Sequence, residues 1–283
     1  MNTPPTIAQA LQQAAIQGLA RIDAQMLLLH VLEQPHAGRA WLIAHDGDLL
    51  TPAQAQAFAS FCARRLDGEP VAYLTGTKEF FGLPLQVDAR VLDPRPDTET
   101  LVEWALALLP AGSHPGRQWR IADLGTGSGA IALALQHALP QADIWAIDAS
   151  ADALAVARAN AARLHLPVHC VQGDWLEGLA GPFDVIVTNP PYIRDDDPHM
   201  PALRHEPRQA LTSGADGLDD IRHIVRTAPA HLRAGGWLLI EHGWDQADAV
   251  RALLAQQGFA QVQSRRDLAG IERASGGQWT SVK

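Results

Sequence analysis

The sequence predicts an α/β protein with a doubly wound, mostly parallel sheet, preceded by a smaller helical domain. Strand and helix patterns alternate from about residue 95 to the end of the chain, as they do in sheets of this kind. A strand pattern at Arg120–Leu124 leads into the glycine-rich turn Gly125–Gly129 and then into the helix-forming run Ala130–Leu135. A second apolar run, Phe183–Thr188, indicates a buried strand that ends at a motif rich in proline. We therefore expect the chemistry at the carboxyl ends of these strands.

Residues 1–72 have the pattern of a small helical bundle. Asp23 is placed to cap one of its helices, and Thr51-Pro52 is a typical start for another. Between residues 73 and 94, aromatic and β-branched residues alternate with Gly and Pro, which predicts a β-hairpin linker. Residues 95–283 then form the larger α/β domain. The bundle carries no catalytic cluster of its own.

Periodicity also predicts further elements of the larger domain. Helices are expected at residues 98–109, 219–232 and 245–257, with Gly258 ending the last one. The polar segment 192–213 contains three prolines and is expected to be a lid or a substrate wall. The remaining expected strands are Asp143–Ile147, Val168–Gln172 and Trp237–Ile240.

The composition excludes several classes of function. The net charge is −9, which is poorly suited to gripping the phosphates of a nucleic acid. Neither Cys62 nor Cys170 belongs to a C-x-x-C pair, and the twelve histidines form no metal signature, so no metal is expected. The sequence shows no signal peptide, no membrane-spanning apolar run and no heptad repeat. These features predict a cytoplasmic monomer.

The glycine turn has the pattern of a nucleotide-binding site. Its spacing is G-x-G-x-G, unlike the G-x-G-x-x-G of dinucleotide binders. Asp148 follows the next strand, where a carboxylate can accept hydrogen bonds from ribose hydroxyls. A plain strand-to-helix turn without a ligand is the alternative for this pattern alone. The residues expected to bind the cofactor here are Gly125, Thr126, Gly127, Ser128, Gly129 and Asp148.

The motif Asn189-Pro190-Pro191-Tyr192 offers two acceptors beside an aromatic ring. Asn189 has a side-chain carbonyl, and Pro190 contributes a backbone carbonyl. Tyr192 adds an aromatic face. Two acceptors converging over a ring suit a planar nitrogen with two hydrogens. The motif therefore predicts a substrate that carries an amide or a nucleobase NH2 group.

Further segments make the pattern specific to one family. They are Gly68–Gly76, Glu79–Leu83, Val91–Glu99, Glu206–Pro207, Ala210–Leu211, Glu241–Gly243 and Asp267–Gly270 with Arg273. Together with the two motifs above, they resemble the protein-(glutamine-N5) methyltransferases of peptide chain release factors, the PrmC/HemK family. Asp93 departs from this pattern, because family members usually carry an aliphatic residue there.

The resemblance implies a class I methyltransferase with a Rossmann-like sheet of seven strands, the last one antiparallel. It implies S-adenosyl-L-methionine as the cofactor, S-adenosyl-L-homocysteine as the product, and class 1 release factors as the protein substrate. The helical domain would dock that substrate. The methyl acceptor would be the glutamine of the Gly-Gly-Gln motif, at its side-chain nitrogen N5.

The resemblance also implies roles for individual residues. Asn189, Pro190 and Tyr192 would be catalytic, and Pro191 would join them in binding the amide, with Asn189 also near the cofactor. Asp174 and Trp175 would lie near the adenine. Thr98 can cap a helix or close over the cofactor, and the two roles can coexist. Arg95, Asp97 and Glu99 share the second possibility. Asp123 approaches the methionyl part of the cofactor or is satisfied by backbone amides.

Two other functions fit parts of the pattern. An adenine-N6 methyltransferase of DNA or RNA also presents a planar NH2 to Asn-Pro-Pro-Tyr, but it needs a basic binding face. A catalytically silent protein that binds S-adenosyl-L-methionine is the other alternative, and the intact Asn189 and Tyr192 argue against it.

Overall fold

The computed structural model describes residues 4–109 and 118–280, which fall into two compact units. The first comprises Met1–Thr77 with Ala202–His205, and the second comprises Lys78–Pro201 with Glu206–Lys283. Each unit has a hydrophobic core of its own. In the described ranges, no helix is long and apolar enough to cross a bilayer.

The first unit is a small bundle of helices. Thr6 and Thr51 each start a helix with a capping box, in which the threonine side chain accepts from a backbone N–H three residues later. Pro52 follows Thr51 at the first helical position, which confirms the predicted start. Leu27 and Leu28 are completely buried at the centre of the bundle. The helices are α1 Ile7–Ile16, α2 Arg21–Val31, α3 Arg39–Ala44, α4 Pro52–Leu66 and α5 Val71–Thr75.

The start of α2 differs from the sequence expectation. Ala20 is its N-cap, and Asp23 lies in the first turn, where it makes no cap. The Asp23 carboxylate instead accepts a hydrogen bond from Arg65 Nε of α4 at 2.7 Å. The expectation was wrong because an ion pair to a distant helix occupies the carboxylate, whose charge still favours the helix N-terminus.

The predicted hairpin is real but shorter than residues 73–94. Tyr73 lies in α5, which ends at Gly76. The strands β1 Thr77–Phe80 and β2 Leu83–Gln86 form a two-stranded sheet. Beyond them, Asp88 Oδ1 accepts from the backbone N–H of Arg90 at 3.0 Å. In this local turn the backbone N–H of Arg90 bonds to a side chain and not to a neighbouring strand, so the hairpin does not continue to residue 94.

The second unit is built on a seven-stranded sheet. Its strands are β3 Arg120–Leu124, β4 Asp143–Asp148, β5 His169–Gln172, β6 Phe183–Thr188, β7 Leu232–Glu241, β8 Ala260–Arg266 and β9 Glu272–Gln278. The order across the sheet is β5-β4-β3-β6-β7-β9-β8. The first five strands in this order pair in parallel, and β9 is antiparallel to both of its neighbours. The expected doubly wound sheet with an antiparallel last strand is confirmed.

Helices pack on this sheet as predicted, with one difference. The expected helix over residues 219–232 ends at Thr227, and a 3₁₀ turn, Ala228–His231, leads into β7. Pro229 lies in that turn and has no N–H with which to continue the α-helix. Gly258 ends the last helix in the left-handed conformation, as expected. The helices are α6 Glu99–Leu108, α7 Ala130–Ala138, α8 Ala151–Leu164, α9 Asp219–Thr227 and α10 Ala247–Gln257.

Strand register brings four strand ends to one edge. Thr188 pairs with Leu124 on one side and with Ile240 on the other. Leu124 in turn pairs with Ile147. Since these strands are parallel, the residues that follow the paired positions lie together at the same carboxyl edge. Those next residues are Gly125, Asp148, Asn189 and Glu241.

Candidate active site

A cleft of about 220 Å³ opens at this edge of the sheet. Its walls are the ends of β3, β4 and β6 and the segment after β5. Parts of two loops complete them, one before the 3₁₀ turn Pro96–Thr98 and one after β6. The predicted site residues that line it are Gly125, Gly127, Asp148, Asp174, Trp175, Asn189 and Pro191. The cleft therefore joins the expected cofactor residues to the Asn-Pro-Pro-Tyr motif.

The glycine turn bends tightly at the mouth of this cleft. Gly125 and Gly127 have φ angles of +68° and +55°, in the left-handed region that favours glycine. The backbone N–H of Thr126 donates to the carbonyl oxygen of Ile147 at 2.9 Å and ties the turn to β4. A Cβ on Gly127 would meet no atom of the described residues within 4 Å, so this glycine faces open space.

Three residues of the turn support it from behind and do not line the cleft. The Thr126 hydroxyl is buried and donates to Asp123 Oδ2 at 2.6 Å. Ser128 is also buried, and its carbonyl oxygen accepts from Asn160 Nδ2 at 3.0 Å. A Cβ on Gly129 would lie only 3.0 Å from Leu133 Cδ1, and the φ of +85° at this position also disfavours a side chain. These residues shape the turn, and their side chains are not offered to a ligand.

Asp148 holds the turn from the neighbouring strand. Its Oδ2 accepts from the backbone N–H of Gly127 and its Oδ1 from that of Ser150, both at 2.9 Å. Burial raises the pKa of Asp148, and the two backbone hydrogen bonds act in the opposite direction. Each oxygen retains a lone pair after these bonds. Asp148 can therefore accept two more hydrogen bonds from hydroxyl groups in the cleft.

Trp175 forms a flat wall against the glycine turn. Its backbone has φ +51°, and its ring atom Cζ3 lies 3.3 Å from the position that a Cβ on Gly125 would occupy. The ring also packs against the hydrophobic core of the unit. Asp174 precedes it as an exposed residue of the same wall. The close approach of Trp175 explains why position 125 carries no side chain, which the sequence pattern did not reveal.

Asn189 is anchored by a residue that is distant in sequence. Its Nδ2 donates to the Thr98 hydroxyl at 3.2 Å. Thr98 is 4% exposed and makes no side-chain cap on α6. Thr98 occupies the N-cap position of α6 as expected, but its side chain makes no capping bond because the hydroxyl faces the Asn-Pro-Pro-Tyr motif instead.

A buried carboxyl group lies behind Thr98. Glu241 is 1% exposed, and the side chains of Thr98 and Tyr192 both hydrogen-bond to it. Burial raises the pKa of Glu241 to about 7, against these hydrogen bonds and the charge of Arg273, which lower it. Its Oε2 has no hydrogen-bond partner among the described residues. Sequence reasoning assigned no role to Glu241, although the resemblance included it.

Pro190 and Tyr192 are held firmly but lie outside the cleft lining, to which Asn189 and Pro191 belong. Pro190 is buried, and the phenol of Tyr192 is turned towards Glu241. Burial, and then the charge of Glu241, raise the pKa of Tyr192, so its hydroxyl stays a hydrogen-bond donor. The Tyr192 carbonyl oxygen accepts from Gln246 Nε2 at 3.0 Å. The motif therefore has a fixed backbone and a fixed tyrosine.

Charged residues clamp the loop that closes one side of the cleft. Glu206 Oε1 accepts from Arg95 Nη2 at 2.5 Å, and Glu206 Oε2 accepts from the backbone N–H of Asp93 at 3.3 Å. Asp93 is buried and lies 3.3 Å from Lys78 Nζ. The adjoining Pro207 lines the cleft. This clamp gives a charge-paired setting to Asp93, the position that departs from the family pattern.

One carboxylate oxygen of Asp123 is bonded within its own turn, and the other, Oδ1, is buried without a partner among the described residues. Its Oδ2 accepts from the Thr126 hydroxyl and from the backbone N–H of Ala132, at 2.6 and 3.1 Å. Complete burial raises its pKa to about 7. Of the two roles left open, this geometry favours the structural one. No cluster of three or more His, Cys, Asp or Glu side chains that could hold a metal occurs in the described part of the chain.

Known proteins share both the fold and the sequence. The chain matches the PrmC N-terminal domain over residues 6–76 and the methyltransferase small domain over residues 105–263. It is 52% identical over 264 residues to the release factor glutamine methyltransferase of Bordetella pertussis, covering 92% of this chain and 95% of that protein. For the enzyme of the same name from Xylella fastidiosa, the identity is 47% over 274 residues, which is 95% of this chain and 97% of that protein.

A solved structure supports the fold independently of close sequence similarity. A methyltransferase from Pyrococcus furiosus superposes with a TM-score of 0.55 at 20% identity, over 79% of this chain and 100% of that one. The sequence matches cover parts of both predicted domains, and Asn189 and Pro191 of the motif line the cleft at the carboxyl edge of the sheet. The chain belongs to the release factor glutamine methyltransferase family.

Proposed function

We propose that this protein transfers a methyl group from S-adenosyl-L-methionine to the side-chain nitrogen N5 of the glutamine in the Gly-Gly-Gln motif of class 1 release factors. One observation carries this proposal. Asn189 lies in the cleft beside Asp148 while its Nδ2 is already bonded to Thr98. Its Oδ1 is therefore the atom left to meet a substrate, and an oxygen acceptor suits an amide NH2.

The residues of the cleft fit the proposed cofactor. Asp148 has lone pairs for two ribose hydroxyls, and Trp175 offers a flat apolar face for a base. Gly127 leaves open space at the turn, so a ligand can approach the backbone closely. When bound, the sulfonium of S-adenosyl-L-methionine supplies an electrophilic methyl group. Asp174, exposed in the same wall, is proposed to accept from the exocyclic amine of the adenine.

The motif residues would orient the amide. An amide nitrogen is a poor nucleophile, because its lone pair is delocalised into the carbonyl group. Acceptance of its two N–H groups by Asn189 Oδ1 and the Pro190 carbonyl would aim that lone pair at the methyl group. The same two bonds would disperse the positive charge that develops on nitrogen in the transition state.

Tyr192 and Pro191 complete the substrate site in this proposal. The hydroxyl of Tyr192 is anchored on Glu241, so its ring has a fixed position beside the motif. Pro191 lines the cleft directly. Together they would flank the flat amide and keep water away from it. No strong base is needed, because the nitrogen becomes acidic only after the new bond forms, and its proton can pass to water when the product leaves the site.

A nucleic-acid substrate is disfavoured by charge. An adenine amine would meet the same two acceptors, but a net charge of −9 repels the phosphate backbone. The curated relatives of high identity are named for a protein substrate. We accordingly propose a release factor as the partner and a monomeric enzyme.

The test uses the purified protein, labelled S-adenosyl-L-methionine and a purified class 1 release factor. We expect the glutamine of the Gly-Gly-Gln motif to gain the mass of one methyl group, as read by peptide mass spectrometry. A release factor with this glutamine replaced by asparagine is the matched control and should stay unlabelled. Label in nucleic acid, or on another residue, would overturn the proposal.

A further inference from the structure

The buried carboxyl group of Glu241 lies directly behind the Asn-Pro-Pro-Tyr motif. Ile240 of β7 pairs with Thr188 of β6. Glu241 and Asn189 are the next residues on these two strands, so they come side by side at the edge of the sheet. Glu241 is 1% exposed and Thr98 is 4% exposed, so no solvent competes for their hydrogen bonds. The described contacts link the four side chains of Asn189, Thr98, Glu241 and Tyr192 into one group.

The hydrogen bonds of this group can run in only one direction when Glu241 is ionised. A carboxylate only accepts, so the Thr98 hydroxyl must use its single proton on Glu241. The hydroxyl is then left with acceptor capacity alone. Asn189 must therefore turn its NH2 towards Thr98. The structure has this orientation, with Nδ2 3.2 Å from the Thr98 hydroxyl. The Oδ1 atom is forced to the opposite side of the amide.

We infer that Thr98 and Glu241 are positioning residues that set which end of the Asn189 amide faces the substrate. This inference rests on the proposed function, in which Asn189 Oδ1 accepts an N–H of the glutamine. Without the pair, both orientations of the Asn189 amide would be accessible, and the flipped one would present NH2 groups to the NH2 of the substrate. In that orientation Asn189 offers no acceptor, so only the Pro190 carbonyl is left to hold the substrate amide and transfer is slowed.

Other groups around Glu241 are consistent with this role. Those that face it are the hydroxyls of Thr98 and Tyr192 and the charged side chains of Arg273 and Asp97. Arg273 lies 3.4 Å from Asp97 and 3.2 Å from Asp267, so its charge is shared between two carboxylates. The same carboxyl group therefore orients Asn189 through Thr98 and holds the phenol of Tyr192 directly.

Three substitutions separate this role from simple packing. Thr98→Val keeps the shape but removes the hydroxyl, and Thr98→Ser restores the hydroxyl on a smaller side chain. Glu241→Gln keeps the size but gives Thr98 a neighbour that donates as well as accepts. The Thr98 hydroxyl is then free to donate to Asn189, which permits the flipped amide.

The experiment measures kcat, KM for a release factor and cofactor affinity by calorimetry. For Thr98→Val and Glu241→Gln, we expect kcat to fall on the order of 10- to 100-fold, as for a misplaced active-site acceptor. Cofactor affinity should stay near that of the wild type, and Thr98→Ser should recover most of the lost kcat. A structural defect would instead lower thermal stability and would leave Thr98→Ser as impaired as Thr98→Val.

The outcome distinguishes this inference from the proposed function. Normal kcat in both Thr98→Val and Glu241→Gln, together with an inactive Asn189→Ala, would overturn the positioning role and leave the function standing. A wild-type protein that does not methylate the release factor would overturn the function itself. Loss of kcat in Thr98→Ser equal to that in Thr98→Val would also contradict the positioning role.

Discussion

The side-chain nitrogen of Asn189 lies 3.2 Å from the hydroxyl of Thr98, although 91 positions separate the two residues in the chain. The bond joins the start of α6 to the end of β6, on the edge of the sheet where the cleft opens. The oxygen of the same amide is the proposed acceptor of a substrate N–H.

Asn189→Ala removes the proposed acceptor of the substrate N–H. We expect kcat to fall on the order of 100-fold or more, because an interaction made mainly in the transition state is lost. Cofactor affinity, measured by calorimetry, should change little by comparison. Asn189→Asp is the control: it keeps an oxygen but cannot donate to Thr98. Turnover of Asn189→Ala close to the wild-type value would rule out the acceptor role.

Asp148→Asn tests the proposed ribose contact. The asparagine side chain keeps one acceptor oxygen but carries no charge. Its NH2 group takes the place of the second oxygen, so either the backbone N–H of Gly127 or that of Ser150 loses its acceptor. We expect the Kd for S-adenosyl-L-methionine to rise on the order of 10- to 100-fold, because charge-assisted hydrogen bonds are lost. Asp152→Asn, an exposed change in the first turn of α8, is the control and should bind normally. An unchanged Kd would remove Asp148 from the cofactor site.

Gly125→Ala and Gly127→Ala form a matched pair at the turn. Both positions have positive φ, but only a Cβ at position 125 would press on the Trp175 ring, at 3.3 Å. Each change should cost about 1 kcal/mol of stability from backbone strain. Gly125→Ala should cost more, and it should weaken cofactor binding further by displacing the Trp175 wall.

Adding Trp175→Ala to each glycine variant tests whether the contact with the Trp175 ring causes the difference between them. The extra cost of Gly125→Ala should shrink in that background, while the cost of Gly127→Ala should not change. Denaturant unfolding and calorimetry supply both readouts. Equal behaviour of the two glycines in both backgrounds would contradict the close packing of Trp175 on the turn.

The stability of the protein should depend on pH through Asp123. Its pKa is about 7 in the folded protein against 3.8 in an unfolded chain, so the folded state holds this proton more tightly. The contribution of Asp123 is therefore most favourable below about pH 4, and it declines as pH rises to about 7. Glu241 acts in the same direction, since burial also raises its pKa to about 7.

Asp123→Asn should remove the part of this pH dependence of stability that comes from Asp123. The free energy of unfolding, from urea titrations at about pH 5 and about pH 8, should fall less with pH in the variant than in the wild type. The variant keeps an oxygen that can accept from Thr126. Equal slopes in the two proteins would show that Asp123 ionises normally in the folded state.

Much of the fold follows from local signals in the sequence. The run Phe183–Thr188 is wholly apolar or β-branched except for one aspartate, and it forms the fully buried strand β6. Thr51-Pro52 starts α4 as expected, because a cap needs only residues within one turn. The glycine turn and Asp148 were found from spacing alone, and the structure brings both to one cleft.

Predictions from the sequence were incomplete or wrong where a side chain bonds to a residue far along the chain. Thr98 has the local features of a helix cap, but its hydroxyl belongs to Asn189 and Glu241. Asp23 likewise pairs with Arg65 and does not cap α2. Periodicity and capping rules describe neighbours within a few residues, so they cannot anticipate these contacts.

The amino-acid sequence by itself determined the main strands, the turn and the motif, because each lies in residues close together, and it determined the family through matching segments along most of the chain. Only the tertiary structure decided that Glu241 lies behind Asn189 and that Trp175 lies against Gly125. Parallel strands bring residues from distant segments to a single edge, and burial then leaves their polar groups no partner except one another.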